Sequence, residues 1–151
     1  MEGERLEYQI RELTSEGIEQ HFASLCGTLK NLREVGNLSI PDAVKILSEI
    51  NSQNGHIYVA QKEDGEIIGA GTLLIEQKFI RKGGKVGHVE DVATRAGYEG
   101  RGVGKAIMNK LIEEARRYGC YKVILDCSDK NIPFYEKAGF HLHENCMRLD
   151  L

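Results

Sequence analysis

The chain has 151 residues, with 20 Lys and Arg against 23 Asp and Glu and a formal net charge of −3. That length suits one domain, 1–151, built on one substantial core. The negative balance argues against a general nucleic-acid or membrane-surface binder, which needs a basic excess, so any affinity for anions must be local. Cys26, Cys120, Cys127 and Cys146 are scattered, without a C-x-x-C pair or a His-rich cluster, so neither a metal site nor a disulfide framework is expected. Free thiols suit a reducing compartment. The start Met1-Glu2-Gly3-Glu4-Arg5 carries no apolar h-region, and no run approaches the ~18 apolar residues of a membrane span. A cytoplasmic, unanchored protein is the expectation.

Alternating Leu6, Tyr8 and Ile10 predict a first strand, and Thr14-Ser15 then offers an N-cap for a helix through about Leu32. Pro41 suits the first turn of a second helix with Val44, Ile46, Leu47 and Ile50 on its core face. Two strand-like runs follow, 56–61 and 67–77, and Asp64-Gly65 between them predicts a hairpin. A strand over 86–94 leads into the turn Gly97-Tyr98-Glu99-Gly100-Arg101-Gly102-Val103-Gly104. A helix comes next, because Val103, Ile107, Leu111, Ile112 and Ala115 recur at helical spacing, with Arg116, Arg117 and Gly119 marking its end. The run 121–127 reads as a central strand, 133–138 as a short helix and 140–149 as a last strand. The order β-α-α-β-β-β-α-β-α-β predicts an α/β (α+β) domain with a mixed sheet, antiparallel at its start, whose parallel pair is 86–94 with 121–127.

Residues 99–105 combine three glycines, two cations and an immediately following helix. Glycines let backbone N–H groups approach a ligand, and a helix N-terminus adds free donors and a positive dipole end, so a pyrophosphate fits this turn. The turn is not a P-loop, because Gly104-Lys105 is followed by Ala106. Nor is it a Rossmann fingerprint: it comes late in the chain and lacks a downstream acidic ribose ligand.

The turn resembles motif A of the GNAT (general N-acetyltransferase) superfamily, Q/R-x-x-G-x-G/A, with Gly102 and Gly104 at the glycine positions. One departure is Glu99, where that pattern has Gln or Arg; a carboxylate pointing inward there would repel phosphate. Further motifs narrow the resemblance. Lys78-Phe79-Ile80-Arg81 with Val89-Glu90-Asp91-Val92, and Gly119-Cys120-Tyr121-Lys122 with Leu125-Asp126-Cys127 and Asn131-Ile132-Pro133-Phe134-Tyr135-Glu136-Lys137-Ala138-Gly139-Phe140, are similar to the glucosamine-6-phosphate N-acetyltransferases. The likeness runs from about Ile67 to Phe140.

That resemblance implies a GNAT fold with a splayed parallel strand pair, acetyl-CoA as co-substrate, no metal, and a homodimer whose substrate site lies at the subunit interface. It implies that pantetheine pairs with Val92, Ala93 and Thr94, the Val92 N–H polarising the thioester carbonyl. Gly100, Arg101, Gly102, Val103, Gly104 and Lys105 would hold the pyrophosphate. Asn131 would contact the cofactor, and the Tyr135 hydroxyl would lie near the CoA sulfur as a general acid. Asp126 would meet the sugar amine, with Glu90 and Asp91 bordering the sugar. Lys78, Arg81 and Arg148 would hold the 6-phosphate, Phe79 and Ile80 sharing that segment, with Tyr121 and Lys122 reaching across from the second subunit. Arg81 stands where the family has a histidine, and Arg33 near where it has a threonine.

Residue chemistry alone leaves alternatives open. The cations of 78–85 suit a phosphomonoester or a solvated loop, Asp126 a ligand contact or a turn cap, and Tyr135 a catalytic role or helix core. Glu90 and Asp91 would point to opposite faces of a regular strand and so are not expected to act together. Two other functions compete: a GNAT enzyme for another amine, whose basic substrate would prefer an acidic cleft, and a non-catalytic CoA-binding domain.

Overall fold

The structure, a computed structural model, describes residues 5–151. The charged start read for signal-peptide character lies mostly in 1–4, outside the described residues. Strand β1 (Gln9–Glu12) is followed by helices α1 (Ser15–Leu29) and α2 (Ile40–Ser52), then by strands β2 (Gly55–Gln61) and β3 (Ile67–Gln77). A short turn, α3 (Ile80–Gly83), leads to β4 (Lys85–Thr94), α4 (Val103–Arg117), β5 (Cys120–Ile124) and α5 (Ile132–Lys137). Among the described residues no helix is long and apolar enough to cross a membrane.

Helix starts follow local chemistry. Thr14 caps α1 by accepting from the Gly17 N–H at 3.1 Å, and Ser39 caps α2 by accepting from the Asp42 N–H at 3.2 Å, one position before Ile40-Pro41. Such a cap stabilises by about 1 kcal/mol. The sheet runs in the order β1-β2-β3-β4-β5, antiparallel up to β4 and parallel between β4 and β5, as the alternation of hairpins and one crossover predicts.

Helix α4 covers one face, where Val103, Ile107, Met108 and Leu111 pack on Ile68, Leu73 and Val89. Helices α1 and α2 cover the other through Ile18, Leu25, Ala43 and Leu47 over Val59, Ile67 and Ala70. The approach of α4 to β3 needs a residue without a side chain, since a Cβ on Gly71 would come within 2.7 Å of Ile107. Glu114, the buried carboxylate of α4, is held by Lys110 at 2.8 Å and Arg117 at 2.7 Å.

Two expected elements are corrected. The strand expected over 121–127 ends at Ile124, so Asp126 lies beyond it. The last strand expected over 140–149 does not form: residues 141–151 are exposed and make no ladder, with Leu142, Met147 and Leu149 at 74%, 90% and 84% exposure. Its alternating apolar residues describe half of a strand pair, and a strand has no stability without a partner.

Candidate active site

The site is built around the place where β4 and β5 separate. Their parallel register runs from Lys85 opposite Cys120 to His88 opposite Ile124 and stops there, whereas β4 continues to Thr94. The residues from Val89 onward therefore have β3 on one edge and no strand on the other. A bulge adds to the divergence: Thr72 faces Glu90, yet Ala70 faces Ala93. Asp91 takes a left-handed conformation there, with φ of 50°, uncommon for a non-glycine residue and a local source of twist.

This bulge corrects the expectation for Glu90 and Asp91. The strand is irregular between them, and both are exposed and line the same cavity under α1 and α2. Glu90 keeps much of its surface in water, yet partial desolvation of its carboxyl against the cavity is the first cause of its raised pKa, and the nearby carboxylates of Asp91 and Asp126 raise it further. The three carboxylates act on one another electrostatically and give this end of the site a negative field, suited to an ammonium group. The Cys146 thiol from the C-terminal tail also lies close enough for the Asp126 carboxylate to raise its pKa.

After β4 the chain enters the glycine-rich turn. Gly102 caps α4 with φ of 85°, a left-handed geometry that suits glycine, and its carbonyl accepts from the Ala106 N–H at 3.0 Å. Gly104 faces the splay, where an added Cβ would sit 3.4 Å from both the Phe134 ring and the Thr94 hydroxyl. Arg101 lies over the Tyr98 ring at 5.9 Å, Lys105 is exposed, and Val103 buries its side chain in the core. The turn therefore presents backbone donors, two cations and a 15-residue helix start, which fits a pyrophosphate.

Glu99 does not point at this anion site. Its carboxylate accepts from the Gly97 N–H at 2.7 Å and from the Asn31 side-chain amide at 3.1 Å, and hydrogen bonds from its own and Gly97's backbone hold its pKa below the ordinary value. Asn31 also donates to the Thr94 carbonyl at 2.7 Å. Asn31 is not legible in the sequence as a site residue, because its partners lie 63 and 68 residues away.

Across the splay, Asn131 sits at the start of α5 and Tyr135 one turn on. Tyr135 packs edge-on against Phe134 and Phe140, at 5.0 and 6.0 Å between ring centroids. Burial, with a smaller contribution from Cys127, raises its phenol pKa, so the hydroxyl keeps its proton at neutral pH.

The cations expected to hold a phosphate are dispersed in this single chain. Lys78 pairs with Glu76 at 2.9 Å, an acid just outside the segment that reads as free of acids. Arg81 stacks over Tyr121 at 5.1 Å, and Lys122 over the same ring at 5.7 Å. Arg81, Lys82 and Gly83 all have left-handed φ, of 57°, 56° and 74°, which turns Phe79 and Ile80 outward at 102% and 64% exposure. Arg148 lies in the tail, its guanidinium on Asp150 at 2.6 Å. Arg33 is exposed just beyond α1.

Residues 28–140, the stretch that carries the parting strand pair and the glycine-started helix, match the model of the acetyltransferase (GNAT) family. The chain belongs to that family. Within it, the chain is similar to a glucosamine 6-phosphate N-acetyltransferase of Trypanosoma brucei brucei, 55% identical over 87 residues that span 58% of this chain and 59% of the relative. A crystal structure of a Trypanosoma brucei acetyltransferase superposes with a TM-score of 0.89 at 40% identity, covering 96% of this chain and all of that one, 100%. The Arabidopsis thaliana glucosamine-6-phosphate N-acetyltransferase gives a TM-score of 0.87 at 32% identity, with 96% and 99% covered.

Proposed function

We propose that the chain, as one N-acetyltransferase domain, moves the acetyl group of acetyl-CoA to the 2-amino group of D-glucosamine 6-phosphate. The products are N-acetyl-D-glucosamine 6-phosphate, a precursor for UDP-N-acetylglucosamine, and CoA. The observation that carries this reading is the parting of β4 from β5 after His88, directly beside the glycine-started α4. It supplies an unpaired strand edge for pantetheine and a cradle for pyrophosphate in one line. The names of the relatives supply the acceptor.

In this reading Gly100, Arg101, Gly102, Val103, Gly104 and Lys105 hold the pyrophosphate, and Val92, Ala93 and Thr94 pair with pantetheine. The Val92 N–H stabilises negative charge developing on the thioester oxygen. Asp126, with Glu90 and Asp91, holds the sugar amine and takes up its proton as nitrogen attacks. Tyr135, kept protonated by burial, gives its proton to the departing thiolate, while Asn131 steadies the cofactor. The acetyl group passes directly from sulfur to nitrogen in a ternary complex, so none of the cysteines forms a covalent intermediate.

The phosphate site is completed by Lys78, Arg81 and Arg148, bordered by Phe79, Ile80 and Arg33. Tyr121 and Lys122 come from a second subunit of a cytoplasmic homodimer. Support for the dimer is the apolar tail, which exposes Leu142, Met147 and Leu149, and the exposed Phe79 and Ile80. The experiment that tests the function is a free-thiol release assay with acetyl-CoA and three acceptors: glucosamine 6-phosphate, glucosamine and a lysine peptide. Turnover should be selective for the phosphorylated sugar. Preference for the peptide would move the chain to another acceptor class.

A further inference from the structure

Helices α1 and α2 do not close fully on the sheet. Between them and strands β2, β3 and β4 lies a cavity of about 410 Å³ with 17 lining residues, of which all but Thr72, Glu90 and Asp91 are apolar. Phe22, Leu25 and Leu47 from the helices and Ile57, Ala70 and Leu74 from the sheet form its body. An apolar cavity of about 150 Å³ stays dry and takes up a small hydrocarbon, and this one is larger than that by more than twofold. It is ill suited to a sugar phosphate, whose hydroxyls would find no partners along its walls. A two-carbon acetyl group would leave most of its apolar wall in contact with water.

The position of the cavity indicates its occupant. Its acidic end is formed by Glu90 and Asp91, and Asp91 directly precedes Val92, where the unpaired edge of β4 carries the reacting carbonyl in the reading above. Ala70, which lines the cavity, is the β3 partner in register with Ala93, the residue after Val92, so the cavity abuts the face of the same stretch of β4 whose open edge carries the carbonyl. A chain growing from the carbonyl carbon past the bulge enters an apolar space already shaped by the fold.

We propose that this cavity is an acyl-chain pocket, and that the enzyme transfers straight-chain acyl groups longer than acetyl from their CoA thioesters to the same amine. The inference rests on the proposed acetyl transfer and extends its donor range. The bonds are the same: the amine nitrogen bonds to the acyl carbon, the carbon–sulfur bond breaks, Asp126 takes the amine's proton and Tyr135 gives one to the departing thiolate, the two residues regaining their starting states by exchange with solvent. Glu90 and Asp91 at the mouth add selectivity. They tolerate methylene groups and repel an acyl chain ending in a carboxylate.

The test compares acetyl-, butyryl-, hexanoyl- and succinyl-CoA, as donors with glucosamine 6-phosphate and as ligands by competition binding without acceptor. Butyryl- and hexanoyl-CoA should keep kcat/KM within about tenfold of acetyl-CoA, whereas in a pocket cut to acetyl each added methylene costs roughly 10–200-fold. Succinyl-CoA, as long as butyryl, should be poorer than butyryl by a hundredfold or so, as expected for an unpaired carboxylate against like charges. Filling the cavity with Ala43→Phe, or with the milder Ala43→Leu where the larger ring prevents folding, should lower the hexanoyl-to-acetyl ratio tenfold or more in both assays. A steep fall from acetyl to butyryl in the wild-type protein, or a ratio unmoved in a folded Ala43 variant, overturns the pocket. If acetyl transfer to the sugar is absent but hexanoyl-CoA binding remains sensitive to Ala43, the pocket stands and the acceptor assignment fails. Normal acetyl transfer with hexanoyl-CoA excluded is the reverse result.

Discussion

Asn31 and Glu99, 68 residues apart in sequence, meet at 3.1 Å, and through Asn31 the end of α1 is tied to both the Thr94 carbonyl and the turn before α4. The Glu99 side chain thus serves as a brace for the anion-binding turn, its charge directed away from it. Asn31→Ala and Glu99→Ala should each raise the KM for acetyl-CoA by roughly three- to tenfold, the range of one ordinary hydrogen bond, with little change in kcat. Glu99→Gln keeps one acceptor and should fall between these variants and the wild type. Steady-state kinetics at saturating sugar phosphate checks the order. Tighter binding in all three would assign Glu99 the repulsive role.

Tyr135→Phe keeps both aromatic neighbours and removes only the proton donor. It should lower kcat by about ten- to a hundredfold, the low end of general acid catalysis because a thiolate leaves readily, with either KM nearly unchanged. Single-turnover measurements are the right readout, since they isolate chemistry from product release. An unchanged single-turnover rate would reduce Tyr135 to packing.

Neutralising Lys78, Arg81 or Arg148 should weaken glucosamine 6-phosphate far more than acetyl-CoA. Each charge-assisted hydrogen bond removed should lower kcat/KM for the phosphorylated sugar by about tenfold to a hundredfold. Unphosphorylated glucosamine is the control, because it never engages the three cations. Glu76→Gln should act oppositely, releasing Lys78 from its 2.9 Å ion pair and lowering the KM for the phosphorylated sugar. Equal damage to both sugars would place these cations in the fold or the dimer.

Glu114 supplies a pH-dependent test of stability. Burial alone would raise its pKa, but hydrogen bonds from Lys110 and Arg117 outweigh that and bring it below its ordinary 4.5. A carboxylate whose folded pKa is depressed stabilises the protein fully above its unfolded value, and this contribution is lost as pH falls through the folded value. Glu114→Gln should therefore cost about 1–3 kcal/mol at pH 7, as for a buried group left with unmatched partners. The difference from wild type should shrink to little below the depressed value. Denaturant melts of both proteins at pH 7 and pH 4 give the comparison; a gap that grows on acidification would contradict the ion-pair account.

The parts of this fold legible in the sequence are those encoded by neighbours. Helix α4 announces itself through Val103, Ile107 and Leu111 at helical spacing, and β3 is legible to the residue because its apolar run is bounded by turn chemistry. The bulge at Asp91 is not. Nothing local marks an aspartate as left-handed, and the irregularity arises from its register with β3. The brace from Asn31 is hidden for the same reason. The tail illustrates the opposite failure: its alternation reads as a strand, but pattern cannot say whether a partner strand lies within reach.

The separation of β4 from β5 after His88 has a bearing on how such a site tolerates change. Recognition along an unpaired strand edge uses main-chain N–H and C=O groups, which every residue but proline possesses. Selection acting on the grip therefore leaves the side chains of Val92, Ala93 and Thr94 comparatively free to drift, provided they remain small enough for the neighbouring core and none becomes proline. Inheritance of the cofactor grip is then carried by backbone shape, through the bulge and the divergence of two strands, and the letters that spell that stretch can vary while the grip persists.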